Sequence, residues 1–213
     1  MKRIIKIILC GLLVIGLFGC TSNDDPNINN PTDPENIEPE TEETRTISTT
    51  LKEIKDGYAV TVSAIPDEYS ELIQMDLTNE YVAGMAMMCV LYNFENNYEK
   101  ALVMFDYIMG SQSYSAYDES FINGQIYQYP YVIRSYFKGT SPENGYEVKD
   151  YTIEFTEGVY SRDFEGYVKL FVQSSGADSP RSFTLVQSGE NGEWFLSSDT
   201  YKGIMAGIRP PKS

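Results

Sequence analysis

The spacing of apolar and polar residues divides the C-terminal three quarters of the chain into helices and strands. YAVTVSAI (58–65) alternates apolar and polar side chains and stops at Pro66, which predicts a strand ending there. Between 79 and 94 the period changes: Tyr81, Val82, Met85, Met88, Cys89 and Tyr92 recur at helical spacing. Alanine and methionine fill the positions between them, so the segment is apolar on nearly every side, as in a helix enclosed by its own domain. Asn96-Asn97-Tyr98-Glu99 has the form of a capping box and opens a second helix, with Ala101, Leu102, Phe105, Ile108 and Met109 inward and Gly110 just past its end. The short link between the two predicts an antiparallel helical hairpin. Shorter helices are expected near 117–122 and from 130 to 137, where Pro130 suits a first helical position.

The remainder reads as β-structure. Tyr151, Ile153 and Phe155 alternate, as do Val168, Leu170 and Val172, and then Phe183 and Leu185. Asn191-Gly192 supplies a tight turn into Trp194-Phe195-Leu196. Helices followed by an antiparallel run predict an α+β domain, a helical hairpin and short helices packed on one face of an antiparallel β-meander.

The first fifty residues are patterned differently. Met1-Lys2-Arg3 and Lys6 precede an apolar run from Ile7 to Phe18, which is the layout of a signal peptide. A spanning helix needs about 20 apolar residues and this run is shorter, so cleavage rather than retention is expected. Leu17-Phe18-Gly19-Cys20 resembles a bacterial lipobox, in which the cysteine becomes N-terminal and lipidated. The resemblance implies a signal at 1–19, a membrane anchor through lipid on Cys20, and a protein at the cell membrane facing outside the cytoplasm. From 21 to 50 the composition shifts to Asn, Asp, Glu, Pro and Thr, which cannot build a core. Residues 20–50 are therefore expected to form a disordered acidic tether with a span of roughly 30 Å, and 51–213 a single domain.

Charge and residue usage exclude several function classes. The formal net charge is −15, and losing Lys2, Arg3 and Lys6 with the signal makes it −18. Such a chain repels nucleic acid, which is not expected as a partner. There is no histidine, which removes Ser-His-Asp and Cys-His catalysis and imidazole metal sites. Of three cysteines, Cys10 leaves with the signal, Cys20 takes lipid, and Cys89 is left as a core thiol among Met87, Met88, Val90 and Leu91. Neither metal nor cofactor is expected.

KGTSPENGY (138–146), SSGADSPR (174–181), WFL (194–196) and IRPP (208–211), in that order with the helical stretch AMMCVLYNFENNYEKALVMFDYIMGSQ, resemble an uncharacterised bacterial family of unknown function over most of 65–211. The resemblance supplies no activity, ligand or catalytic residue. The chain departs from the pattern at Ser197-Ser198-Asp199 and at Val186.

Three chemistries remain. Ser135-Tyr136-Phe137-Lys138 has the Ser-x-x-Lys spacing of penicillin-recognising acyl enzymes, without their companion motifs, and is read as chance. Asp118, Glu119, Glu143, Asp163, Glu165, Asp178 and Asp199 are the carboxylates from which a glycan hydrolase would draw its pair. The 17 tyrosines, clustered in SYSAYDE and IYQYPYVIRSYF, are suited to binding. Tyr117, Tyr129 and Tyr131 are the candidate binding residues there. Asp178 and Arg181 are those of the SSGADSPR turn, where Asp178 is expected to cap the turn and Arg181 to pair with it or a nearby carboxylate. The function expected is a membrane-anchored, non-catalytic binding domain for an envelope protein or wall glycan, with a carboxylate-based glycan hydrolase as the alternative.

Overall fold

A computed structural model describes residues 45–112, 114–198 and 200–212. The leader, Cys20 and most of the expected tether lie outside the described residues, as does Asp199. The described residues form one compact unit. Among the described residues six strands run β1 (Thr49–Ile54), β2 (Gly57–Val62), β3 (Thr152–Thr156), β4 (Tyr167–Val172), β5 (Arg181–Gln187) and β6 (Trp194–Leu196). They lie in sequential order with every neighbouring pair antiparallel, so the sheet is a meander. All the described α-helices, beginning with the short α1 (Tyr69–Leu72), are inserted between β2 and β3, and the domain is α+β as the patterning predicts.

The register explains which residues alternate. Val60 faces Ile153, Val168 faces Leu185, Leu170 faces Phe183, and Leu185 faces Leu196 across neighbouring strands. All of these side chains are buried. They form the sheet face on which α2 (Glu80–Asn93) lies, in contact with β2, β3, β4 and β6. Twelve of the fourteen α2 residues are buried, which accounts for the lack of a polar side in its sequence. Gly84 is the point of closest approach, since a Cβ there would sit 3.1 Å from Leu170 and 3.3 Å from Phe183. The Asn79 side chain caps α2 by accepting from the amides of Tyr81 and Val82.

α3 (Tyr98–Ile108) returns alongside α2 to complete the hairpin. Its cap is Asn97, which accepts from the Lys100 amide, one position later than the expected Asn96 box. Beyond α3 come α4 (Ala116–Phe121), a π turn (Ile122–Ile126) and α5 (Tyr131–Arg134), with Pro130 as the cap of α5 rather than its first residue. Short 3-10 segments at Pro142–Asn144 and Thr200–Met205 complete the described elements. No helix among the described residues is long and apolar enough to cross a membrane.

The expected boundary between tether and domain, at 50/51, falls inside β1 and needs correcting. Ile47 is 5% exposed and belongs to the core. Arg45 donates to both carboxylate oxygens of the buried Glu71, through Nε at 3.1 Å and Nη2 at 2.9 Å, and also to the Ile65 carbonyl. Composition over thirty residues averages these few side chains away. One isoleucine and one arginine with tertiary partners are enough to fix the segment.

Candidate functional site

Tyr129, Tyr131 and Gln125 meet at a surface depression of about 250 Å³, completed by Val132, Met205, Gly207 and Ile208. Two local features produce the meeting. The π turn closes with the Tyr127 amide donating to the Ile122 carbonyl, which inserts an extra residue into the helical path and leaves Gln125 exposed. Pro130, held at φ −62°, separates the two tyrosines. Their rings stand at 83° with centroids 6.2 Å apart, so they form a right-angled corner. The Tyr129 amide donates to the Gln125 carbonyl at 3.0 Å, tying the corner to the π turn.

Tyr131 is braced from behind. Its ring stacks on Tyr146 at 21° and 5.9 Å. Tyr146 is fully buried, occupies the left-handed region at φ +58°, and donates its hydroxyl to the Arg209 carbonyl at 2.7 Å. A tyrosine in that backbone region is held there by its packing. Among the described residues, neither tyrosine hydroxyl of the corner nor the Gln125 side-chain amide makes a hydrogen bond, and Tyr129 is 46% exposed. The corner therefore offers two ring faces, two hydroxyls and one carboxamide.

Three of the four sequence motifs converge beside the corner, and their contacts are mutual. Ser175 donates its amide and hydroxyl to the Ser135 carbonyl, the Arg209 amide donates to the Gly176 carbonyl, and the Lys212 amide to the Pro142 carbonyl. A Cβ on Gly176 would sit 2.3 Å from the Tyr146 hydroxyl and 2.7 Å from Ile208. Only glycine lets the 174–177 turn pass so closely. The cleft between these segments, about 840 Å³, is lined by Ser141, Glu143, Ser175, Arg209 and their prolines.

Asp178 and Arg181 depart from expectation. Asp178 does not cap the turn: the Ser174 hydroxyl accepts from the Gly176 amide, while the Asp178 side chain is 93% exposed and pairs with Arg209 at 2.7 Å. Arg209 holds the Asp178 carboxyl below its ordinary value through that hydrogen bond. Arg181 pairs with no carboxylate among the described residues. It donates to the carbonyls of Ala206 (2.7 Å) and Ser179 (2.8 Å), with Gly207 at 3.5 Å, and so buttresses the segment that forms one wall of the tyrosine corner.

Tyr117 lies elsewhere. It is 67% exposed, and the Lys202 ammonium sits 4.0 Å from its ring centroid and near Phe121 and Tyr201. Lys202 also pairs with Asp118 at 3.0 Å, and the Tyr201 hydroxyl donates to the same carboxylate. Burial works against the charge on Asp118, but hydrogen bonds from Ser115, Lys202 and Tyr201 outweigh it and hold the carboxyl below its ordinary value. Asp118 and Ser115 also form the capping box of α4.

The other candidate chemistries are engaged structurally. The Ser135 hydroxyl is buried, donates to the Val132 carbonyl and shares a hydrogen bond with Ser174, while Lys138 lies out at Glu154. Glu143 pairs with Lys212. Glu119, Asp163 and Glu165 are exposed. Among the described residues the fold brings carboxylates together around an arginine in two places: Glu80 and Glu157 share one nitrogen of Arg162, and Asp67 and Glu71 share one nitrogen of Arg45. Burial opposes the Glu157 charge, but hydrogen bonds from Arg162 and Tyr81 prevail and hold its carboxyl low. Cys89 is completely buried and its thiol is pushed far up by desolvation. Among the described residues, no group of three or more acidic or cysteine side chains is placed to hold a metal ion.

Nothing local in the sequence marks Gln125: FINGQIYQ has no feature that distinguishes a π turn from a helical one. No curated protein and no solved structure matches the chain. The family described as a domain of unknown function, DUF6935, matches residues 61–212, from β2 through the helical insertion and the rest of the meander to the C-terminal prolines. The chain belongs to the DUF6935 family.

Proposed function

We propose that the chain is an envelope lipoprotein, held at the membrane by lipid on Cys20 and facing outside the cytoplasm, whose domain is a non-catalytic binding module. The leader and lipobox support the anchor. The observation that carries the binding role is the tyrosine corner: rigidly braced aromatic faces whose polar ends are left unengaged by the fold. Pre-ordered rings of this kind bind at small entropic loss.

A carboxylate-based glycan hydrolase would need one carboxyl group held protonated beside an ionised partner. Glu80 and Glu157 are close enough to share a guanidinium, but Arg162 holds Glu157 ionised, opposite to what an acid requires. Burial and the neighbouring Glu71 raise the pKa of Asp67, but Asp67 is exposed and both carboxyls are taken up by Arg45 in holding the 45–47 segment to the domain. Binding is the better-supported reading.

Two measurements test it. Cys20→Ala should abolish incorporation of a fatty-acid label, and equal labelling would remove the anchor. Retention of an unlipidated chain beginning after Cys20 on washed envelope fractions should fall when Tyr129 and Tyr131 are both changed to alanine; unchanged retention would remove the corner from the function.

A further inference from the structure

We propose that the corner formed by Gln125, Tyr129 and Tyr131 is a subsite for one ring of a neutral pyranose chain, an assignment that rests on the binding role above. Shape is the first argument. Two aromatic faces at 83° give a sugar one ring to stack its C–H face upon and a second to meet its edge. A depression of about 250 Å³ lies below the roughly 300 Å³ at which sites for drug-sized ligands begin, so it admits a single ring of a longer ligand.

Polar placement is the second. The hydroxyls of Tyr129 and Tyr131 and the carboxamide of Gln125 make no hydrogen bond within the described residues, and together they can both donate and accept. A pyranose ring carries an apolar face rimmed by hydroxyls, which matches aromatic walls with polar ends. An apolar peptide side chain would use the walls and leave those polar ends without partners.

Pre-organisation is the third. Tyr131 is stacked on buried Tyr146, Pro130 fixes the link between the tyrosines, Arg181 buttresses the wall at Ala206–Gly207, and Gln125 sits on a π turn. Single π turns inside helices occur frequently at functional sites. Charge then selects within the sugars. The mature formal charge of −18 repels uronic acids and phosphate-bearing polymers from the chain as a whole and leaves neutral chains unaffected, while Arg181 behind the wall is turned to the Ala206, Ser179 and Gly207 carbonyls.

The test is isothermal titration of the lipidated protein in neutral detergent with three tetrasaccharides: β-1,4-linked N-acetylglucosamine, β-1,4-linked glucose, and galacturonate. At least one neutral probe should bind, and Tyr129→Ala and Gln125→Ala should each weaken it tenfold or more with the melting temperature unchanged. Galacturonate should bind at least tenfold more weakly than the neutral probe, with the gap narrowing as salt is added. No binding of either neutral probe, or binding insensitive to both substitutions, would overturn the assignment. If Tyr129→Ala abolishes envelope retention of the unlipidated chain while neutral tetrasaccharides neither bind nor compete, the ligand is a peptide or protein. The sugar assignment then fails and the binding module stands.

Discussion

Arg45→Ala should cost about 2 kcal/mol of stability, although residue 45 lies in a segment whose composition reads as tether. The arginine reaches Glu71 with two parallel hydrogen bonds, of 3.1 and 2.9 Å. Glu71 is only 6% exposed at its side chain, whereas Arg45 is 47% exposed. An exposed ion pair contributes about 0–1 kcal/mol, and breaking a buried one costs about 3–5. The half-exposed arginine places this pair between the two, and the Asp67 amide still donates to Glu71 at 3.0 Å after the substitution. The estimate of about 2 kcal/mol follows, equivalent to a fall in melting temperature of roughly 4–8 °C for a domain of this size. Urea denaturation of a chain beginning after Cys20 is the assay, with an unchanged slope and a lowered midpoint expected. Arg45→Lys should recover part of the loss, since an ammonium keeps the charge without the two-pronged geometry.

The pH dependence supplies a second check on the same pair. Burial opposes the Glu71 charge, but hydrogen bonds from Arg45 and the Asp67 amide outweigh it and lower its pKa below the ordinary 4.5. A carboxylate lowered on folding contributes stability above its unfolded value and loses it as pH falls through its folded value. The gap between wild type and Arg45→Ala should therefore be full at neutral pH and close progressively below about pH 4.5. A difference under about 0.5 kcal/mol at pH 7 would refute the reasoning and show that residues 45–48 are not held to the domain by this pair.

Three further outcomes are expected. Gly176→Ala should destabilise the domain by about 1–3 kcal/mol, because its Cβ would meet the Tyr146 hydroxyl and Ile208; calorimetry would show it, and an unchanged transition would mean that the turn has room to move. Arg181→Ala should cost about 1–2 kcal/mol by releasing the Ala206 and Ser179 carbonyls, whereas Asp178→Ala, at a fully exposed pair, should leave the midpoint where it is; the reverse ranking in denaturation curves would restore Asp178 as the turn's cap. Cys89 should resist iodoacetamide in the folded protein at pH 8 and react once urea unfolds it, as mass spectrometry would register; rapid native labelling would contradict its enclosure.

Much of the scaffold was decided by local sequence. α2 needs only its unbroken apolar run and Asn79 to be recognised, because a helix with no polar side must be enclosed. The strands at 152–156, 167–172 and 181–187 carry their buried faces in plain alternation, and that is enough to imply the meander. β1 was not visible in this way. As an edge strand its residues are mostly exposed, so Thr49–Ile54 has no apolar period to display, and only pairing with β2 makes it a strand.

The site was legible in residue type and illegible in arrangement. Tyr129 and Tyr131 are separated by one proline, so their meeting is nearly local. Gln125 joins them only because a π turn redirects the chain, and Tyr117, in the same tyrosine-rich region, ends instead against Lys202. Asp178 passes over Arg181, three residues away, for Arg209, because the backbone carbonyls of Ala206 and Ser179 claim the nearer guanidinium first. Helix caps, turns and strand periods depend on neighbours within a few positions, and sequence determines them. Partner choice among charged and aromatic side chains depends on which distant segments are brought alongside, and only the tertiary structure decides that.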